Sequence, residues 1–323
     1  MGIDVSKKEL VVALISGDKI SKNKFSNDWD GFKSLHQWLI SKATNKITAC
    51  MEATGSYGEK AADFLYNKGY DVSIINPACI KSYAKSRLSR HKTDEVDALI
   101  IAQYASQNEV RLYQPKDKTL VDLRGFYRCQ QNLKNQQTQM SNYLENQDSL
   151  PKTVVKTYRK LIKEIDLEIA KIDHEIDFLL STNGKLKTDC DNLQTIPGIG
   201  KATAIALLAE VPDFANFNDA RQLAAYAGLT PRQRTSGTSL KGKSRLSKIG
   251  SSTLRKALYF PAIVAKNHNS LMKSFAENLE KRGKNTMVII GAIMRKLLHI
   301  VFGIIKNKTI FDPMNLLKEK LAK

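Results

Sequence analysis

The sequence predicts an α/β N-terminal domain, a helical coiled-coil arm and a mainly α-helical C-terminal domain. Three observations predict it. Strand-like runs with tight turns open the chain and then alternate with helical spacing to about residue 112. From 113 to 190 the chain is rich in Gln, Lys and Asn, and apolar residues recur at spacings of three and four. From 191 to 323, apolar helical stretches flank a segment dominated by Gly, Ser, Thr, Lys and Arg.

Residues 2–14, "GIDVSKKELVVAL", read as strand, turn and strand, and "KISKNKFS" as a third strand. Phe32, Leu35, Trp38 and Leu39 fall on one face of a helix over 30–43. "KITACME" is a short apolar strand ending at Glu52, and the Gly-containing turn "ATGSYGE" leads into a helix over 59–68. "DVSIINP" is a further strand, followed by a helix over 93–106. In the arm, Phe126, Cys129, Leu133, Gln136, Met140 and Tyr143 define one seam. After the break at Ser149-Leu150-Pro151, Val155, Tyr158, Ile162, Ile165, Ile169, Ile172, Ile176 and Leu179 define another. This pattern fits an intramolecular hairpin or an oligomerisation arm. The tail "DPMNLLKEKLAK" reads as a short helix.

The chain has 323 residues, 42% hydrophobic, with 51 Lys+Arg against 32 Asp+Glu and a formal charge of +19. That excess favours a polyanionic partner, nucleic acid before an anionic membrane surface. The most apolar stretch, from Val288, is interrupted by Arg295, Lys296 and His299, so it reads as a buried helix and not a span. No signal peptide opens the chain. The four cysteines are dispersed, which disfavours a zinc or disulfide framework and fits reduced thiols in a cytosol.

Asp4 lies between Ile3 and Val5 in the first strand, where a carboxylate is costly unless paired or bound to a cation. Glu52 ends a different strand. Asp94 and Asp97 share one face of the helix at 93–106. Taken singly, each has a bland role: Asp94 suits a first helical turn capped by Thr93, and Glu52 a strand end. Together they form an oxygen-rich set suited to Mg²⁺ or Mn²⁺, and two such ions assist in-line phosphoryl displacement. The arrangement resembles the ribonuclease H-like fold in its RuvC-like, junction-resolvase form. That resemblance implies that Asp4, Glu52, Asp94 and Asp97 are metal ligands. One departure is that Met1 and Gly2 leave almost no strand upstream of Asp4, where relatives usually carry several residues.

"TIPGIGKATA" resembles a helix-hairpin-helix element, whose turn (Gly198, Gly200, Lys201) suits a phosphate. A Gly-containing helix–helix turn is the plain alternative. Between Asp219 and Glu277 only positive charges occur, among them Arg232, Arg234, Lys241, Lys243, Arg245, Lys248, Arg255 and Lys256. Such a one-sided run fits a nucleic-acid surface. Ser236, in a basic loop before Gly237, is either a phosphate contact or a nucleophile; the second role needs a base or metal to activate it. No Walker-type phosphate loop is present.

Taken jointly, "GIDVSKKEL", "MEATGSYGE", "INPACIKSYAKSRLSRHKTDEVDALIIAQYA", "LQTIPGIGKATAIALLAEV" and "AAYAGLTPRQRTSGTSLKGKSRLSKIGSSTLRKALY" resemble the Piv/MooV-type DEDD transposases of bacterial insertion sequences, the one-hundred-ten group, across nearly the whole chain. The family includes bridge-RNA-guided recombinases. The resemblance implies a RuvC-like domain (1–112), a coiled-coil arm (113–190) and a transposase domain (191–323) whose catalytic serine is Ser236. It also implies DNA partners (element ends and target), a structured non-coding guide RNA, and a dimer or tetramer. Two other readings stay open: a junction resolvase using metal-activated water, and a non-catalytic guide-RNA-binding protein.

Overall fold

The computed structural model describes residues 1–42, 46–53, 55, 57–87, 93–115, 117–232, 235–236, 240–241 and 245–313. The chain forms two compact units, 1–115 and 116–323. The helix expected in the tail lies outside the described residues, apart from its start.

The first unit is mixed α/β. Its elements are β1 (Gly2–Val5), β2 (Glu9–Ser16), β3 (Lys19–Ser26), α1 (Trp29–Lys42), β4 (Thr48–Glu52), α2 (Glu59–Asn67), β5 (Asp71–Ile75), α3 (Pro77–Ser86) and α4 (Asp94–Gln107). The five strands lie in the order β3-β2-β1-β4-β5, antiparallel from β1 to β3 and parallel from β1 to β5. The alternation in β2 sorts its two faces. Leu10, Val12 and Leu14 pack with Ile3, Val5, Phe32, Leu35 and Leu39, whereas Val11 and Ala13 pack with Ala98 and Ala102 of α4. Edge strand β3 keeps Lys19, Lys22 and Lys24 exposed, which discourages further strand pairing. Helix α3 was not foreseen; Asn76 caps it by accepting from Ala78 N at 2.9 Å, and Pro77 occupies its first turn.

The second unit is mostly helical: α5 (Lys118–Tyr143), α6 (Lys152–Thr182), α7 (Gly184–Gln194), α8 (Lys201–Glu210), α9 (Ala220–Tyr226), α10 (Ser252–His268), α11 (Ser270–Lys281) and α12 (Thr286–Asn307). Between α9 and α10 lie β6 (Pro231–Arg232), β7 (Thr235–Ser236), β8 (Leu240–Lys241) and β9 (Arg245–Leu246). The helices of the expected arm share this unit's core: Leu123, Tyr127, Ile176 and Leu180 join Leu207, Leu258 and Leu297.

Helices α5 and α6 run antiparallel: Gln130 bonds Asp173, Gln137 bonds Asp166, and Tyr143 stacks on Tyr158 at 4.7 Å between ring centroids. The α6 seam follows its expected positions, with Ile169 and Ile176 buried. The α5 seam does not. Its buried residues are Leu123, Tyr127 and Gln130, whereas Cys129 and Tyr143 of the expected seam are exposed. Gln130 and Gln137 take inward positions through their bonds to Asp173 and Asp166, Leu133 and Met140 of the expected seam are half-buried, and Phe126 packs against the unit's core.

Helix α12 is long and apolar enough to cross a membrane by length and composition. Ile289, Ile293, Leu297, Val301 and Ile304 are nevertheless buried in this core, where its sequence placed it. Glu210, 2% exposed, ends α8 and accepts a bidentate pair from Arg128 at 2.8 and 2.9 Å. A buried carboxylate is tolerated only when paired in this way. The four cysteines are free thiols; Cys50 and Cys190 are buried, and Cys79 and Cys129 are exposed.

Candidate nucleic-acid processing site

Asp4 is the third residue of the central strand and pairs with Val11 across β2. Side chains two apart share a sheet face, so Gly2 and Asp4 both look toward α4. Gly2 pairs with Cys50 and Ile3 with Met51, so Glu52 ends the neighbouring parallel strand beside Asp4. Asp94 and Asp97 occupy the first turn of α4, which Thr93 caps by accepting from Val96 N at 3.3 Å.

Gly2 brings the helix close. A Cβ there would lie 2.2 Å from Ala98 O and 2.3 Å from Ala102 N, both backbone atoms. The α4 backbone therefore lies directly on β1, one turn beyond its two aspartates.

Electrostatics record the convergence. Burial pushes the Asp4 carboxyl up to about 6, and repulsion from Asp94, Asp97 and Glu52 adds to the rise, against a hydrogen bond from Val5 N–H. Among the described residues, no three Asp, Glu, His or Cys side chains are gathered tightly enough to hold a metal ion. The carboxylates thus feel one another without lying at ligating distance. Their donors are all hard carboxylate oxygens, which fits Mg²⁺ or Mn²⁺ and not a softer metal. Glu95, in the same turn, looks elsewhere, with Lys22 and Lys24 of β3 at 3.7 and 3.8 Å.

The basic segment is not a plain loop. β6 pairs antiparallel with β9, and β7 with β8, giving a hairpin of two short ladders. Arg232 stands opposite Arg245, and both are exposed. Like charges directly opposed across a ladder are unfavourable, and an anion relieves them. Ser236 lies in β7, its backbone opposite Leu240; Lys241 lies in β8, opposite Thr235. Arg234, Lys243 and Gly237 lie outside the described residues. Lys248 is exposed with φ of 55°, a conformation uncommon for a residue with a side chain.

Two residues of the predicted basic set have structural bonds. The Arg255 NH1 donates to the carbonyls of Ala227, Gly250 and Ser251 at 3.0, 3.2 and 3.3 Å, fixing the turn into α10. Lys201 pairs with Asp177 at 2.6 Å. Lys256 is exposed and reaches Asn135 at 3.5 Å. In the expected helix-hairpin-helix turn, Gly198 adopts φ of +102° and packs against Pro261 and Ala265, so its requirement is structural. Gly200 caps α8 without a side chain, and open space faces it.

Four carboxylates that interact across a mixed sheet and its packed helix, in a chain that also carries an exposed basic hairpin, are features suited to an enzyme class that works on phosphodiesters. Comparison with known families narrows the class. Residues 1–147 match the DEDD transposase model of the IS110 type, and residues 190–277 match the model described as "Transposase IS116/IS110/IS902 family". The pilin gene-inverting proteins of Moraxella bovis and Moraxella lacunata are each 34% identical over 316 residues, covering 97% of this chain and 97% of theirs. The transposase for insertion sequence element IS1111A of Coxiella burnetii is 26% identical over 84% of this chain and 81% of its own. The chain belongs to the IS110 family of insertion-sequence transposases.

Proposed function

We propose that this transposase cuts and rejoins DNA by a divalent-metal-dependent route through a covalent serine–DNA link, directed by a structured guide RNA. The observation that carries the reading is the placement of Asp4 in the central strand, raised to about 6 by burial and by three neighbouring carboxylates. The strand order β3-β2-β1-β4-β5 supports a ribonuclease H-like assignment for the first unit.

Asp4, Glu52, Asp94 and Asp97 would hold Mg²⁺ or Mn²⁺, and the ion supplies charge stabilisation for phosphoryl transfer. Ser236 is the nucleophile. Its Oγ forms a bond to the scissile phosphorus as the bond to the 3′-oxygen breaks, and the serine proton ends on that oxygen as a 3′-hydroxyl. The reverse attack by a 3′-hydroxyl on the phosphoserine link rejoins strands and conserves the phosphodiester energy, so no nucleotide cofactor is needed. Arg232, Arg245 and Lys248, with Arg234, Lys241 and Lys243, neutralise the backbone phosphates. A dimer or tetramer would let the paired DNA ends be cut together.

A second reading concerns the outcome and not the chemistry. The relatives named for pilin gene inversion match nearly end to end. Inversion of a chromosomal segment uses the same cleavage and rejoining as insertion. Sequencing the product junctions from cells that express the chain beside its native flanking DNA separates the two: reversed segments mark inversion, and new target junctions mark insertion. Purified protein that nicks neither DNA in Mg²⁺ nor in Mn²⁺, with or without co-expressed RNA, removes the enzymatic reading.

A further inference from the structure

The second unit contains a groove of about 1260 Å³ between α5, α6 and the first turns of α8 and α10. This exceeds the roughly 300–1,000 Å³ usual for small-molecule sites, so it suits a stretch of polymer. Its chemistry is mixed in a particular way. Phe260 of α10 lines it and is 73% exposed. Tyr259 stands edge-on to that ring at 5.5 Å between centroids, and the groove is lined further by Tyr127 and Ile176, by Gln131, Asn132, Lys134 and Asn135 of α5, and by Lys256 of α10. Two other cations of the groove are already matched, Arg128 with Glu210 and Lys201 with Asp177. Lys134 and Lys256 face no carboxylate partner within ion-pair distance among the described residues.

An exposed aromatic ring in a groove that also carries two ammonium groups without a carboxylate partner and a row of amides suits a single strand of nucleic acid. The ring stacks one unpaired base, the ammonium groups take flanking phosphates, and the amides meet base edges or sugar hydroxyls. A duplex keeps its bases stacked and offers the ring nothing. We propose that this groove binds a single-stranded segment of nucleic acid, with one base stacked on Phe260 and the backbone held by Lys134 and Lys256. The inference deepens the nucleic-acid reading above and rests on it, but it concerns a different surface from the hairpin of β6–β9.

The test measures binding of full-length protein to fluorescent single strands of about 20 nucleotides, RNA and DNA of one mixed sequence, against a duplex of that sequence. Phe260→Ala should weaken single-strand binding roughly 5- to 100-fold and leave the duplex nearly unaffected. Lys134→Glu with Lys256→Glu should weaken it further and flatten the salt slope by about two phosphates. Because Phe260 is exposed, Phe260→Ala should keep the wild-type melting temperature. A 4-thiouridine or 4-thiothymidine strand should cross-link to the peptide carrying Phe260. Preferential RNA retention assigns an RNA strand to the groove, and preferential DNA retention assigns a separated DNA strand; either supports the proposal. Wild-type binding that both variants leave unchanged overturns the groove and spares the hairpin. Wild-type protein that binds no nucleic acid at all overturns the broader reading.

Discussion

The chain carries its two signs of charge on two kinds of structure. The acidic set sits on the central strand, a neighbouring strand end and a capped helix that lies flush on Gly2. The basic set sits on a hairpin whose ladders are two residues long, with two arginines opposed across one of them. The contrast follows from what each must meet. In the proposed metal role the carboxylates need well-fixed positions, and a packed sheet and a capped helix hold their backbones firmly. Cations that follow a phosphate backbone need charge and reach more than fixed geometry.

Breaking the acidic side should have the largest effect. Asp97→Asn keeps shape but removes charge, so strand cleavage should fall by orders of magnitude while nucleic-acid binding, measured by anisotropy, holds. A variant that cuts at the wild-type rate removes Asp97 from the site. On the basic side, if roughly 6–10 phosphates are neutralised, affinity should drop about 10³–10⁵-fold between 50 and 200 mM salt. Arg245→Glu with Lys248→Glu should weaken binding to all sequences alike. A shallow salt slope marks the hairpin as ordinary surface.

A smaller effect sharpens the electrostatic half of the comparison. Asp4 titrates higher in the folded chain than in the unfolded one, so the folded state holds its proton more tightly. In metal-free buffer this group's contribution to stability is therefore best below its unfolded value and declines as pH rises through about 6. Thermal melts of wild type and Asp4→Asn should show the variant's advantage at pH 8 and little of it at pH 4. Added Mg²⁺ should raise the wild-type midpoint more at pH 8 than at pH 5, because ionised carboxylates bind it. Smallest is a stability effect within the second unit: Arg128→Met leaves the buried Glu210 without that guanidinium and should cost about 2 kcal/mol in urea unfolding.

Sequence made the sheet legible because β1, β2, β4 and β5 carry apolar alternation or short apolar runs bounded by turns, and β3 follows β2 across the short Gly17-Asp18 turn. It also marked Asp4, since a carboxylate between Ile3 and Val5 stands out. The α6 seam was readable from Ile and Leu alone. The α5 seam was misjudged because its cross-helix contacts use Gln130 and Gln137, which a hydrophobic pattern does not count. The start signal of α3, Asn76-Pro77, is masked in the sequence because it directly ends the apolar run of β5. Two-residue strands have no period to detect, so the hairpin around Ser236 read as loop. Arg255 looked like a phosphate contact by composition, and only geometry gives its guanidinium three backbone carbonyls. The Arg128–Glu210 pair had one faint signal, a glutamate closing the apolar run "ATAIALLAE".

The proposed covalent serine–DNA link can be detected directly. Full-length protein, purified with any co-expressed RNA, is incubated with end-labelled element DNA in Mg²⁺, denatured, digested with protease and nuclease, and read by mass spectrometry for nucleotide-modified peptides. The account predicts a nucleotide phosphate on Ser236, lost in Ser236→Ala and in Asp97→Asn. DNA cut at the element ends with no modified peptide, or with the modification on another residue, contradicts it.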